Sequence, residues 1–331
     1  MHRNAIDFSK KESKPLFSIL IPAYNVGKLI RRCLFTVLNQ TYSNIEVIIV
    51  DDASTDNTFD VISEYAKRDK RIKVIRNEKN ESLEYSRTVA MEMCKGDHII
   101  FVDSDDYISL DACETLFKEL SIEKSDILEY SYAMDPFNTV VSQHHDDYTV
   151  EGILTLQYFH TIWNRCYSRE LVKKSLKAIK KFYCNMSEDT YFATVFSHFA
   201  ESYRKIDAVL YHYVRGYGMT SNGIFTKQTV QNALISIKNR AVYTKQFFDE
   251  YASQYNTLIN DSVKSDCEYL MAMCAVSKNK RINKVRRIKD ILSFCNEFES
   301  KKSNPIEEYV KAFNTYCMII INNRKAIKNA S

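Results

Sequence analysis

Residues 99–106 hold the densest group of side chains in this sequence that could do chemistry. Four apolar residues are followed by an acidic turn that contains Asp103 and Asp105. Side chains two positions apart in an extended chain share a face, so we expect these two carboxylates to point the same way. They would repel each other unless a proton or a cation joined them. Mn²⁺ or Mg²⁺ bound to a diphosphate would supply that cation, and the plainer alternative is a polar turn capping a helix that starts at Ser109 or Asp111.

Alternating strands and helices are expected to position this turn. Apolar runs predict strands over residues 17–22, 45–50, 72–75 and 98–102, and helical spacing predicts helices over residues 26–38, 56–67 and 82–94. This order is typical of an α/β fold, in which a parallel sheet has helices on both faces. Open sheets of that kind bind ligands at the carboxyl ends of their strands. Residues 127–133 and 208–214 predict further strands, and the sequence indicates helices from residue 226 onwards.

Composition excludes several classes of function. A net charge of +4 over 331 residues is too small to indicate nucleic-acid binding, and the 6 glycines form no G-x-G-x-x-G or G-x-x-x-x-G-K-[ST] motif. The 9 cysteines include no C-x-x-C pair, so we expect reduced thiols and neither a zinc site nor disulfides. Residues 1–14 lack the apolar core of a signal peptide, and no apolar run is long enough to span a bilayer. We therefore expect a cytoplasmic protein. The run His144–Asp147 is interpreted as a polar loop, with a metal cluster as the less favoured alternative.

Six segments, in this order along the chain, resemble the family 2 glycosyltransferases, which adopt the GT-A fold. They are residues 18–25 (SILIPAYN), 50–56 (VDDASTD), 80–97, 103–106 (DSDD), 163–165 (WNR) and 187–192 (SEDTYF). The sequence departs from the family pattern where Ala53 and Ser82 replace common glycines, and where Thr88 and Ala90 stand for Asn and Gly. Residues 69–73 and 111–114 are similar to bacterial lipooligosaccharide galactosyltransferases, which implies galactose as the sugar and a β-1,3 linkage.

The resemblance implies a site for a UDP-sugar at the first half of the sheet. Its donor-binding residues would be Pro22, Ala23, Tyr24, Asn25, Asp52, Arg87, Asp103, Ser104, Asp106 and Trp163, with Asp105 as the ligand of Mn²⁺ or Mg²⁺. Asp52 would accept a hydrogen bond from the uracil ring, and the alternative is a helix-capping carboxylate. Arg87 would add positive charge near the donor, or else lie exposed on a helix. Trp163 would stack on a sugar, or else belong to the core.

The acceptor side is implied by the acidic pair Glu188 and Asp189. By resemblance, Asp189 is the base that takes the proton of the acceptor hydroxyl, with Glu188 as the second choice. The alternative is that both acids open a helix over residues 190–199, where negative charge favours the helix dipole. A single base opposite the leaving group implies inversion, so an α-linked donor would give a β-linkage. His212 is interpreted as a core or hydrogen-bonded residue, with contact to a metal or a phosphate as the alternative.

Three regions are expected along the chain. Residues 1–15 form a flexible tail, residues 16–220 a catalytic domain with a nucleotide-sugar half (to about residue 125) and an acceptor half (from about residue 126), and residues 221–331 a helical region. Between Lys278 and Lys289, seven of twelve residues are basic and none is acidic. This segment predicts either contact with an anionic membrane surface or an amphipathic helix docked on the catalytic domain. The expected location is the cytoplasm, with the inner face of the cytoplasmic membrane as a second site.

The leading hypothesis is an inverting, metal-dependent transfer of a sugar to a bacterial surface glycan or a lipid-linked glycan. One alternative is a non-catalytic scaffold of the same fold that takes part in polysaccharide assembly. A second is a sugar nucleotidyltransferase, which is disfavoured because the chain lacks the glycine-rich loop of that class. A dinucleotide-dependent dehydrogenase is excluded by the absence of its glycine fingerprint.

Overall fold

The computed structural model describes residues 14–142, 147–155, 157, 160–215, 226–276 and 287–293. The first half of this part alternates strands and helices, as the sequence predicts. Its elements are β1 (Phe17–Ala23), α1 (Ile30–Leu38), β2 (Ile45–Asp51), α2 (Thr58–Arg68), β3 (Ile72–Arg76), α3 (Leu83–Met93) and β4 (His98–Phe101). The helices start up to four residues later than the periodicity predicts. The sequence predicts Ser54, Thr55 or Asp56 as the N-cap of α2, whereas the N-cap in the structure is Asn57.

The second half mixes short strands with helices. Its elements are β5 (Tyr107–Ile108), α4 (Ala112–Ile122), β6 (Ile127–Asp135), β7 (Thr139–Val141), α5 (Val150–Leu154), β8 (Arg165–Ser168), α6 (Arg169–Leu176), α7 (Glu188–Phe199) and β9 (Tyr203–Val214). Two long helices follow, α8 (Lys227–Tyr251) and α9 (Leu258–Val276), joined through a 3₁₀ turn at Ser253–Tyr255. Residues 287–293 are also helical. The helical character expected from residue 226 is confirmed over these described stretches.

One sheet joins the strands of the described chain in the order β3-β2-β1-β4-β8-β6-β9-β5, with β7 paired to β6. Strands β1 to β4 are parallel throughout. The order switches at β4, which pairs with the antiparallel strand β8. The predicted parallel sheet is therefore confirmed for the first half. The antiparallel pairings of β5, β7 and β8 were not predicted, because these strands have only two to four residues.

Burial explains why β1 and β2 lie at the centre of the first half. Every residue of both strands is buried, so each strand has apolar residues on both faces. Helix α1 covers one face with Ile30, Cys33, Leu34 and Val37, all fully buried. The seven cysteines of the described residues are free thiols.

The turn at residues 95–97 fixes the start of β4. Gly96 lies so close to β1 that a Cβ there would come within 2.5 Å of the Ser18 hydroxyl oxygen. The backbone N–H groups of Lys95 and Gly96 donate to the buried Glu46 carboxylate, at 2.5 and 3.1 Å. Lys73 and Ser18 donate to the same carboxylate, and these hydrogen bonds hold the pKa of Glu46 below its usual range against the effect of burial. This packing sets the register of the strand that leads to Asp103.

Some sequence predictions fall outside the described residues. These are most of the tail, the domain boundary near residue 220, three residues of the run 144–147, and residues 278–286 of the basic segment. At the end of the predicted tail, the Pro15 carbonyl oxygen accepts a 2.6 Å hydrogen bond from the Tyr42 hydroxyl. No helix in the described part of the chain is long and apolar enough to cross a membrane.

Candidate active site

The carboxyl ends of the four parallel strands converge on one edge of the sheet. Asn25 follows β1, Asp52 follows β2, Asn77 follows β3 and Asp103 follows β4. The sequence predicted a shared edge from the strand order, and it singled out Asn25, Asp52 and Asp103 there but not Asn77. Hydrogen bonds between the connecting loops then fix how these side chains are arranged.

Asn25 holds two of these loops together. Its side-chain oxygen accepts from the Thr55 backbone N–H at 2.8 Å, and its own backbone N–H donates to Ser54 Oγ at 3.0 Å. Asn25 has φ 53°, a left-handed conformation that Asn tolerates better than most residues. The neighbouring Tyr24 is 45% exposed, so its ring remains accessible beside this turn, while Pro22 and Ala23 are buried in β1. These positions suit a flat ring stacked on Tyr24.

Asp52 binds the loop that leads into α3. Its carboxylate accepts from Asn77 Nδ2 at 2.7 Å and from the backbone N–H groups of Glu81 and Ser82 at 2.8 and 2.9 Å. These bonds resemble the capping alternative, although the carboxylate lies beyond β2 and is not in α3 itself. Ser82 is the N-cap of α3 and has φ 112°, a conformation that strongly favours glycine. Asp52 therefore helps hold Ser82 in a strained conformation.

Arg87 on α3 connects the two acidic segments. Its Nη2 donates to Asp103 at 2.7 Å, and its Nη1 donates to Glu188 at 2.7 Å and to Asp189. Arg87 is 1% exposed, so the alternative of an exposed helix arginine is wrong. The guanidinium group thereby brings together carboxylates that lie 85 or more residues apart in the sequence. No motif predicted that one side chain would pair with all three.

Burial sets the protonation of the acidic pair at the start of α7. Burial, and then the neighbouring Asp189 charge, raises the pKa of Glu188 to about 8, although Arg87 opposes the shift. Burial also raises the pKa of Asp189, and Arg87 again acts in the opposite direction. A carboxyl group with a raised pKa is a better proton acceptor than an ordinary surface carboxylate. The geometry thus suits a general base, and it also confirms that both acids open the helix.

Asp105 is the carboxylate best suited to a metal. Burial, and then the Asp103 charge, raises its pKa to about 6. Within the described residues, no other side chain donates a hydrogen bond to its carboxylate, whereas its backbone oxygen accepts from Arg32 at 2.8 Å. The described residues hold no group of three or more His, Cys, Asp or Glu that would form a complete cage. One or two carboxylates together with substrate phosphates are nevertheless a usual set of partners for Mg²⁺, so the residues present fit such an ion.

The remaining residues of the acidic turn face inward. Ser104 is buried, and Asp106 is 1% exposed. Asp106 accepts from the Tyr211 hydroxyl and from the Val214 backbone N–H, both at 2.7 Å. Burial raises the pKa of Asp106 well above its usual range. In this structure Asp106 ties the turn to β9, and its role toward a nucleotide stays a prediction.

Trp163 lies in an aromatic cluster and is 5% exposed. Its ring stacks on Tyr211 and Tyr213, with ring centroids 4.4 and 5.7 Å apart. This placement matches the core alternative, and stacking on a sugar stays a prediction. His212 stacks on Tyr107, and its Nε2 lies 3.2 Å from Ser109 Oγ. It is half-buried, so it is a hydrogen-bonded residue at the edge of the core and not a core residue.

Sequence reasoning missed residues that support the site. Asn77 has no motif of its own and is recognised only through its bond to Asp52. His160, in the loop before β8, is close enough for Asp189 and Asp266 to act on its pKa, which burial lowers. Its Nδ1 is buried without a hydrogen-bond partner among the described residues. Ser187 donates to Asp266 of α9 at 2.6 Å. These contacts arise from tertiary packing, so no local pattern could have found them.

Comparison with known sequences gives the family context. Residues 18–194 match the family model described as "Glycosyl transferase family 2". EpsH of Bacillus subtilis (strain 168), which bears the name of a glycosyltransferase, is 30% identical over 258 residues and is matched over 74% of each chain. Chondroitin synthase of Escherichia coli is 38% identical over 117 residues, which cover 35% of this chain and 17% of that protein.

Comparison with solved structures concerns the fold. The structure of residues 1–349 of S. aureus TarS in complex with UDP-GlcNAc has a TM-score of 0.55 and 17% sequence identity to this chain. The match covers 87% of this chain and 93% of that one. This likeness confirms the expected GT-A fold, with its helix-flanked sheet and helical C-terminal extension.

Proposed function

Because this chain belongs to glycosyl transferase family 2 and is a glycosyltransferase, we propose that it moves a sugar from a UDP-sugar to a bacterial surface glycan by single displacement with inversion. The observation that carries this proposal is the buried Arg87, whose guanidinium group pairs with Asp103 on one side and with Glu188 and Asp189 on the other. One charged group thus holds the proposed donor-binding turn against the proposed base.

The donor side of the proposal rests on the loops after β1, β2 and β4. Tyr24 stacks on the nucleobase, and Asp52 accepts from the uracil ring N–H through lone pairs left beside its three protein partners. Asp103 accepts from the ribose hydroxyls. Asp105 would hold a divalent cation beside the diphosphate, and such an ion would supply positive charge that offsets the charge on the departing nucleotide. UDP-galactose is the first donor to test, since the finer resemblance implies that sugar.

The acceptor side rests on the start of α7. Asp189 takes the proton of the acceptor hydroxyl as that oxygen attacks the anomeric carbon. Its raised pKa suits this role, because a base works best when its pKa approaches the pH at which it operates. Arg87 stabilises the ionised form that must be present before the attack. Burial raises the pKa of Glu188 to about 8, and its carboxyl group accepts a hydrogen bond from Arg87 in the same network.

We further propose that residues 16–220 form the catalytic domain and that the acceptor is a glycan, free or linked to a lipid. Residues 278–289 would hold the enzyme at the anionic inner face of the cytoplasmic membrane. The charge of this segment supports that location. The name of the relative chondroitin synthase supports a polysaccharide as the class of product.

A donor screen tests the proposed function. Purified protein with Mn²⁺ is offered UDP-, GDP- and dTDP-sugars, and nucleotide release is compared between the wild type and Asp105→Ala. Asp111→Ala, in the exposed turn before α4, is the matched control. We expect release from one UDP-sugar, loss of at least about tenfold in Asp105→Ala, and no change in Asp111→Ala. No nucleotide release from any donor, together with no nucleotide binding by calorimetry, would contradict the proposal and favour a non-catalytic scaffold.

A further inference from the structure

The turn before α7 has an unusual backbone. Ser187 has φ 70°, in the left-handed region that residues other than Gly and Asn rarely adopt. It precedes Glu188 directly, and the proposed base Asp189 by two residues. The direction in which α7 leaves this turn therefore decides where the Asp189 carboxylate points. A conformation of this kind persists only where the surroundings hold it.

The C-terminal helices provide those surroundings. Ser187 Oγ donates to Asp266 Oδ2 on α9 at 2.6 Å. Asp266 Oδ2 also forms an ion pair with Arg240 Nη2 on α8, at 2.8 Å, and the Arg240 side chain is fully buried. A buried guanidinium group needs a compensating charge, so Asp266 is held at this position from behind.

Helix α8 also holds the residues just before the turn. The Asn185 backbone N–H donates to Ser236 Oγ at 3.1 Å, and Asn239 Nδ2 donates to the Tyr183 carbonyl oxygen at 2.9 Å. Together with the bond between Ser187 and Asp266, these contacts hold residues 183–187 to helices α8 and α9 at three points.

The opposite side of this segment rests on α3. The Leu83 backbone N–H donates to Asn185 Oδ1 at 2.7 Å, and the Glu84 backbone N–H donates to the Cys184 carbonyl oxygen at 3.1 Å. On the same helix, Arg87 binds the two acids Glu188 and Asp189. Residues 183–187 thus lie between the nucleotide half and the C-terminal helices.

We propose that Asp266, held by Arg240, is a positioning residue for Asp189, so that the C-terminal helices set the geometry of the catalytic base. This inference rests on the proposed function, in which Asp189 is the base. It assigns the helical region after residue 226 a part in catalysis that no motif in that region indicates. Asp266 acts through the Ser187 hydroxyl and does not touch the substrate.

Two substitutions at residue 187 separate positioning from backbone strain. Ser187→Gly and Ser187→Asn both tolerate a left-handed φ, but only Asn keeps a side-chain donor for Asp266. We expect Ser187→Gly to lower kcat about tenfold with the KM for the donor within twofold, and Ser187→Asn to recover most of the loss. Asp266→Asn is expected to lower kcat as Ser187→Gly does. The double variant with both substitutions should have a kcat no lower than that of the slower single variant. Asp261→Asn, on the exposed face of α9, is the matched control and should leave kcat unchanged.

Asp189→Asn distinguishes failure of this inference from failure of the proposed function. If Asp189→Asn transfers sugar at the wild-type rate, the proposed base is wrong and the positioning role falls with it. If Asp189→Asn is inactive while Ser187→Gly keeps the wild-type kcat, only the positioning role is overturned. Circular dichroism melting of each variant shows whether it folds. Should Asp266→Asn fail to fold, the comparison of Ser187→Gly with Ser187→Asn still decides the question.

Discussion

Removing the charge of Arg87 should strongly lower the stability of the fold. In the Arg87→Met variant, Glu188 and Asp189 lose their shared cation while their side chains stay only 7% and 15% exposed. Breaking a buried ion pair by deleting one partner costs about 3–5 kcal/mol. Arg68→Met is the matched control, because Arg68 pairs with Glu64 at the surface and its side chain is 77% exposed. That pair should contribute less than about 0.5 kcal/mol.

The assay is urea denaturation followed by circular dichroism. The free energies of unfolding are compared among variants that share the same dependence on urea concentration. The loss in Arg87→Met should be smaller at pH 5 than at pH 8, because the raised pKa values of the two acids let them take up protons once the guanidinium group is gone. Adding Glu188→Gln should recover about 1–3 kcal/mol, the usual coupling between residues in one network. A loss in Arg87→Met no larger than in Arg68→Met, at both pH values, would refute the buried ion-pair cluster.

Three further predictions concern other parts of the chain. Ser82→Gly should raise the free energy of unfolding by about 1 kcal/mol, because φ 112° is strained for Ser and glycine costs a helix N-cap only a few tenths of a kcal/mol. Thermal melting checks this prediction. As the control, Ser63→Gly inside α2 should instead lower the free energy of unfolding by about 0.5 kcal/mol. Burial raises the pKa of Glu84 from 4.5 to about 8, so the folded state keeps a proton that the unfolded chain loses. The free energy of unfolding should therefore fall as the pH rises from about 5 to 8, by up to about 1.4 kcal/mol per pH unit. Glu84→Gln should reduce that slope, and the same pH dependence of stability in the wild type and the variant would contradict the assignment. The protein should pellet with anionic vesicles and not with neutral ones. NaCl at about 1 M should release it, because the Debye length is then only about 3 Å. The absence of any binding to anionic vesicles would exclude a membrane role for residues 278–289.

The first half of the fold was predictable because its signals are local. Strands β1 and β2 are runs of buried apolar residues, and a parallel order followed from the helices between them. The edge of the sheet that carries Asp52 and Asp103 followed from the same order. The second half was less predictable because its strands are short and pair with distant strands, as β8 does with β4 and β6.

The roles of single side chains were harder to predict than their positions. Asp106 belongs to the acidic motif in sequence, yet in space it binds β9. Arg87 has the same residue type and helical setting as many exposed arginines, and only tertiary packing buries it. The contact between Ser187 and Asp266 spans 79 residues, far beyond any local pattern.

The sugar that is transferred is the least predictable property. The finer resemblance to galactosyltransferases includes Asp69 and Arg71, but these two residues bond to each other in the turn between α2 and β3, at 2.7 Å. Ala53 and Ser82 stand where the family has glycine, and both keep a positive φ, so the backbone follows the family pattern while the side chains differ. A sugar pocket depends on such differences in side-chain volume.

Separating binding from transfer tests the central claim most directly. UDP binding by calorimetry and sugar transfer from the donor found in the screen are measured for Asp105→Asn and Asp189→Asn, with Mn²⁺ present. The proposal predicts that Asp105→Asn weakens UDP binding and that Asp189→Asn binds UDP like the wild type but no longer transfers sugar. Transfer at the wild-type rate by Asp189→Asn would contradict the account.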